Sequence, residues 1–127
     1  MFLEERHRVI ANNIANANTP FYKAKTAPLS EFRQALAEAV SASRRLGGTP
    51  PALRDTRHID FTPNGMTVTP LEVASADASV LRHDGNNVNL EHEMADLADN
   101  TLLYRTMSDL LRRQFLTLSS AIKERVE

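Results

Sequence analysis

The sequence predicts a mainly α-helical chain: two terminal amphipathic helices pair as a coiled-coil-like unit and bracket a partly ordered middle arm. Three observations lead there. A seven-residue repeat of apolar positions runs unbroken from Leu90 towards the C-terminus. A shorter stripe with 3–4 spacing marks the first residues, and all six prolines fall between the two. This divides the chain into residues 1–18 (helix and elbow), 19–88 (arm) and 89–127 (long helix).

The first helix is expected over about residues 3–17. Leu3, Ile10, Ile14 and Ala17 form a narrow stripe, with Phe2, Arg6, Val9 and Asn13 beside it. So few large side chains over about four turns bury little, and an isolated helix of this length is marginal in water. Four asparagines, Asn12, Asn13, Asn16 and Asn18, then precede Thr19-Pro20. Asparagine disfavours helix interiors and bonds readily to nearby backbone, so Asn16 or Asn18 is the expected stop, and Pro20 forces Thr19 extended. Carboxamides have no pKa suited to acid–base work. Their chemistry is multivalent hydrogen bonding, within the elbow or to a neighbouring subunit.

In the arm, one helix is expected over about 29–45, with Leu29, Phe32, Leu36 and Val40 on one face. Ser30 is its candidate cap, and Gly47-Gly48 ends it. Ile59/Phe61 and Met66/Val68 alternate around an Asn64-Gly65 turn, which fits a small hairpin; Pro63 and Pro70 restrict such strands to an edge. Nothing else in this zone suggests an independent core, so the arm is either mobile or ordered against partners.

The long helix begins at Asn89, its expected N-cap, with Glu91 and Glu93 in the first turn. One seam position reads Leu90, Leu97, Tyr104, Leu111, Leu118 and the other Met94, Thr101, Ser108, Phe115, Ile122. With no Pro or Gly after Asn89, the helix runs about 35 residues, roughly 50 Å. A second stripe of Leu103, Met107, Leu110, Gln114 and Ala121 widens the apolar surface beyond a two-stranded seam. The first helix is long enough to cover about a third of this surface, so the remainder needs other chains.

Composition narrows the function. The net charge of −1 hides a split of +3 over residues 1–60 and −4 over 61–127, too weak for a polyanion footprint. No nucleic-acid partner is expected. Without cysteine, disulfides and thiolate metal sites are excluded. No apolar run approaches a membrane span, and charges in MFLEERHRVIANN interrupt any secretory-signal core. HEMAD at 92–96 approaches a metalloprotease signature, but Asp96 stands where a second histidine is needed. His7, His58 and His83 lie in separate segments, and neither a nucleophile elbow nor a phosphate loop occurs. No enzyme activity, metal or cofactor is expected.

The stretch NNIANANTPFYKAK resembles the N-terminal signature of flagellar axial proteins. DGNNVNLEHEMADLADNTLLYRTMSDLLRRQFLTLSSAI resembles the end of the basal-body rod family, closest to the proximal rod proteins. By position, Asn13, Ile14, Ala15, Asn16, Thr19, Pro20 and Tyr22 match the family's elbow. Asn86, Val88, Leu90, Glu93, Met94, Asn100 and Tyr104 match the start of its long helix. The resemblance implies terminal helices that pack together and subunits that stack helically round a hollow axis as a torque-transmitting shaft. It implies export through the flagellar type III apparatus and a place in the periplasmic rod. The implied partners are further copies, other rod proteins, the membrane-supramembrane ring and the export gate, without direct membrane insertion. The expected assembly interface comprises Ile10, Asn13, Ile14, Asn16, Leu90, Met94, Leu97, Tyr104, Leu111, Phe115, Leu118 and Ile122. From the residues alone, a soluble coiled-coil adaptor or chaperone-like binding module is the rival.

The chain departs from the family pattern twice. Phe21 occupies the usual glycine position of a Pro-Gly turn, so either the turn is type I or the ring fills a contact particular to this assembly. The family's first helix also starts about four turns earlier, so this sequence begins inside it and the long helix is left short of part of its partner.

Overall fold

The computed structural model describes residues 1–48, 52–73 and 83–124. The order is α1 (Phe2–Ala15), β1 (Lys25–Thr26), α2 (Leu29–Arg45), β2 (Ile59–Thr62), β3 (Gly65–Val68), β4 (Leu71–Glu72) and α3 (Leu90–Glu124). Helices dominate, and α1 packs antiparallel on the N-terminal third of α3: Leu3 lies level with Asn100, Arg6 with Asp96 and Asn13 with Glu93.

Each end of α1 holds a small core. At its start, Phe2, Ala27, Ile59 and Val68 are buried together, with Leu3, Leu29, Phe32, Phe61 and Met66 packed around them. The Phe2 and Phe32 rings stack at 4.3 Å and 6°, joining α1 to the first turn of α2. At its end, Ala17, Ala24 and Val88 are buried against Tyr22 and Val73. The arm therefore has an ordered base that folds back on α1. Its core uses Phe2, which the expected stripe omitted.

Several local details differ from the sequence expectation. The inward face of α1 is Phe2, Val9, Ile10 and Asn13, while Leu3 and Ile14 are only half-buried. Two adjacent stripes were available, and the one holding Asn13 is turned inward because its hydrogen bonds are made there. In α2, Pro28 takes the N-cap position and no side chain caps it. Ser30 lies inside the first turn, so it cannot reach the leading N–H groups as a cap does. The buried α2 residues are Ala35 and Ala39, whereas Leu36 is exposed. The helix ends as expected, with Gly47 and Gly48 at φ 73° and 84° and Gly48 N–H donating to Ser43 O at 2.9 Å.

The hairpin pairs Ile59 with Val68 and Phe61 with Met66, and its closing pair is Thr62 with Gly65. Pro63 and Asn64 are thus the loop residues, shifted one position from the expected Asn64-Gly65 turn. Proline's fixed φ suits the first loop position, while Gly65 takes a φ of 154° that few other residues adopt. A second two-stranded pairing, β1 with β4, sets Lys25 opposite Glu72 and Thr26 opposite Leu71. Glu31 fastens α2 to the hairpin's base. Its carboxylate accepts from Thr56 Oγ1 at 2.9 Å and His58 N–H at 3.3 Å, and meets His58 Nδ1 at 2.7 Å.

Candidate functional site

The α1–α3 contact is polar. Asn13 is fully buried at 0% exposure. Its Nδ2 donates to Lys25 O at 2.7 Å and Glu93 Oε1 at 2.8 Å. Its Oδ1 accepts from Tyr22 O–H at 3.1 Å and Lys25 N–H at 3.0 Å. Both protons and both lone pairs of the carboxamide are used, joining α1, the elbow, β1 and α3. Glu93 is 8% exposed. Desolvation raises its pKa above the ordinary carboxylate range, with Asp96 adding to the rise; the bond from Asn13 and the charges of His92 and Arg6 oppose it. Burial, then the Glu93 charge, raises the Tyr22 phenol pKa.

Two further links fix the helix pair. Arg6 bridges to Asp96 at 3.0 Å with its own side chain largely buried. Asn100, 1% exposed, donates from Nδ2 to Leu3 O at 3.0 Å, while its Oδ1 has no hydrogen-bond partner among the described residues.

The elbow is held by asparagines from both ends of the chain. Asn16 is the C-cap of α1, and its Nδ2 bonds Asn12 O at 2.8 Å. Asn86 Nδ2 lies 2.9, 3.1 and 2.9 Å from the carbonyl oxygens of Asn16, Ala17 and Thr19, and its Oδ1 accepts from Val88 N–H at 2.7 Å. It satisfies carbonyls that the end of α1 leaves open. Asn87 Oδ1 accepts from Ala24 N–H at 2.6 Å. Asn89 caps α3 as expected, accepting from Glu91 and His92 N–H at 3.1 and 3.3 Å. Sequence reasoning placed Asn86 in a turn and gave Arg6, Asn87 and Asp96 no such role. Only the resemblance pointed to Asn86, Glu93 and Asn100.

Phe21 keeps the left-handed conformation that glycine would occupy, at φ 60°, so the turn has not become type I. Tyr22 N–H reaches Thr19 O at 3.3 Å across it, and Phe21 N–H donates to Asp84 O at 3.0 Å. A Cβ on Gly85 would lie 3.0 Å from Phe21 Cδ1. The ring thus borders a glycine, yet remains 79% exposed.

Beside this polar contact lies a bare apolar face. Among the expected interface residues, Ile10 and Asn13 are buried within the chain, and Ile14, Asn16 and Leu97 are half-buried. Leu90, Met94, Tyr104, Leu111, Phe115, Leu118 and Ile122 are exposed, as are Leu102, Leu103, Met107, Leu110 and Leu116. Even where α1 lies along α3, it covers Glu93 and Asn100 while Leu90 and Met94 face outward. The coiled-coil-like seam therefore is not the face that α1 occupies; α1's own polar residues match the neighbouring one.

In HEMAD, His92 Nε2 stands 3.9 Å from Asp96 Oδ2, and Asp96 is engaged by Arg6. Among the described residues, no group of three or more potential metal ligands comes together. No described helix is long and apolar enough to cross a membrane.

Residues 5–23, covering most of α1 and the elbow, match the family model described as flagella basal body rod protein. The chain is 31% identical to flagellar basal body rod protein FlgB of Bacillus subtilis over 117 residues, 92% of this chain and 81% of the relative. It is 36% identical to FlgB of Cereibacter sphaeroides over 120 residues, 94% of this chain and 84% of the relative. Against FlgB of Borrelia hermsii the identity is 30% over 123 residues, 95% of this chain and 87% of the relative. With such similarity running through elbow, arm and long helix alike, the chain belongs to the FlgB family of flagellar basal-body rod proteins.

Proposed function

We infer that this chain is a structural, non-enzymatic subunit of the flagellar basal-body rod, part of the hollow shaft that transmits torque. The carrying observation is the apolar face of α3: from Leu102 to Ile122 its large side chains are exposed in the lone chain. A continuous apolar patch of this length marks a protein–protein surface. Assembly buries it, at about 1.5–3 kcal/mol for each large side chain fully withdrawn from water. In this reading the interface comprises Leu90, Met94, Leu97, Tyr104, Leu111, Phe115, Leu118 and Ile122, with coiled-coil-like packing between subunits. Further copies, other rod proteins, and ring and export-gate proteins supply the neighbours in the periplasmic part of the basal body.

Leu111→Asp tests this reading. Leu111 is 43% exposed, so the variant should keep the wild-type helicity and urea midpoint. In a packed seam the new carboxylate must be desolvated, so rods should fail to form and cells lacking the native subunit should not swim. Normal rods and motility with Leu111→Asp would overturn the assignment of this face.

A further inference from the structure

Asparagine before glycine can close a ring with its own backbone, because glycine puts no side chain in the path of the attack. Asn64-Gly65 is the one such pair in the chain. Whether it reacts depends on how far the fold lets the two groups meet. Asn64 is the second residue of the hairpin loop and is exposed. Its carboxamide makes no hydrogen bond among the described residues, whereas Asn13, Asn16, Asn86, Asn87 and Asn100 are all tied to neighbours. A Cβ on Gly65 would meet nothing within 4 Å, so the space around the pair is open. Gly65 also stands opposite Thr62 at the last rung of a two-stranded ladder, where local opening costs least.

From this we propose that Asn64 is a self-modification site, converted without an enzyme to aspartate and isoaspartate. The Gly65 nitrogen attacks Asn64 Cγ and forms a C–N bond. The carboxamide nitrogen leaves as ammonia, taking the proton of the Gly65 amide, and a succinimide closes. Water then opens the ring at either carbonyl. One opening gives aspartate, and the other gives isoaspartate, whose main chain runs through Cβ and Cγ. Nothing is oxidised or reduced, and water is the co-reactant.

Asp84-Gly85 is the chain's aspartate counterpart, open to the same cyclisation with loss of water. There the fold stands in the way. Asp84 Oδ1 accepts from Asn86 N–H at 3.1 Å, Asp84 O accepts from Phe21 N–H at 3.0 Å, and the Phe21 ring crowds Gly85. Similar chemistry in opposite settings confines the conversion to the hairpin tip. Isoaspartate adds a backbone carbon to the loop, and loop length fixes hairpin register. The half-buried Phe61–Met66 pair beside the loop therefore loosens, while Ile59 and Val68 stay anchored in the core.

The full chain, kept folded at mildly alkaline pH and body temperature and then digested with trypsin, tests this. Peptide 58–82 holds Asn64 as its one asparagine. It should gain the mass of an amide-to-acid exchange and elute as two products, at a rate within a few-fold of the same peptide free in solution. Peptides 9–23 and 83–105 should keep their mass and elution; in urea, isomerisation at Asp84 should split the elution of 83–105. In the isoaspartate fraction, hydrogen exchange should quicken at Phe61 and Met66 but not at Ile59 and Val68. Asn64→Asp, which supplies the charge alone, should leave all four unchanged. Peptide 58–82 surviving in the folded chain long after the free peptide has converted would overturn the site. Equal conversion of the three peptides in the folded chain, or an unsplit 83–105 in urea, would overturn its confinement by the fold. Unchanged exchange in the isoaspartate fraction would overturn the loosening of the hairpin.

Discussion

The carboxamide of Asn13 and the carboxylate of Glu93 meet at 2.8 Å in the interior of the helix pair. Two residues 80 positions apart are thereby joined at a point where neither has appreciable contact with water. Asn13→Ala would leave Glu93, Tyr22 and both backbone groups of Lys25 short of a partner. Unmet buried polar groups cost about 1–3 kcal/mol each, with partial relaxation. A loss of about 3 kcal/mol in urea unfolding is expected. A loss below about 1 kcal/mol would show that the four bonds add little to folding.

The displaced pKa of Glu93 gives stability a pH slope. Because its folded-state pKa is raised, chiefly by desolvation, the folded chain holds a proton that the unfolded chain has already released. This contribution is fully present below the ordinary glutamate range and is lost as pH rises through the raised value. Glu93→Gln should flatten that decline in urea midpoints measured across mildly acidic pH. An unchanged slope would show that Glu93 is not its source.

Glu31 acts in the opposite sense. The hydrogen bond from His58 is the chief cause of its lowered pKa. Its stabilising contribution is therefore present above the ordinary glutamate range and lost as pH falls through the lowered value. Glu31→Gln should reduce the acid sensitivity of the α2–hairpin junction, read by the hydrogen exchange of amides in β2 and β3.

Phe21 holds a conformation that costs a side-chain-bearing residue about 1–2 kcal/mol. Glycine removes the strain but makes the unfolded chain more flexible, so Phe21→Gly should stabilise by about 0.5–1 kcal/mol. Gly85→Ala should destabilise, because its φ is 73° and the new Cβ would sit 3.0 Å from the Phe21 ring. Restoration of that loss in the Phe21→Gly, Gly85→Ala pair would separate the ring clash from the backbone strain. Thermal unfolding measures all three.

Phe2→Ala should release the base of the arm. It removes a ring stacked on Phe32 at 4.3 Å and a fully packed member of the core, a change of about 3–5 kcal/mol. Loss of amide protection in β2 and β3, with α3 still helical, is the expected pattern.

The start of α3, its Asn89 cap and the extent of α2 were legible because they rest on short-range patterns: a heptad, a capping residue, a glycine pair; the expected end at residue 127 lies outside the described residues. The face that α1 occupies was not. Heptad spacing identifies the greasiest stripe, and a lone helix is expected to cover it. The covered stripe instead holds Glu93, Asp96 and Asn100, whose partners are Asn13, Arg6 and the carbonyl of Leu3. Such pairings are set by geometry over 80 or more residues and leave no periodic trace. The elbow was half legible: four asparagines signalled a helix stop, but the Asn86 side chain that completes it comes from the other end of the chain.

Apolar seams allow sliding, since one leucine fits nearly as well as the next a heptad away. Directional bonds do not. A shift of α1 along α3 by a single turn would break Arg6–Asp96, Asn13–Glu93 and Asn100–Leu3 together. The helix pair is keyed like a spline, so a twisting load applied at one end reaches the elbow without slippage inside the subunit.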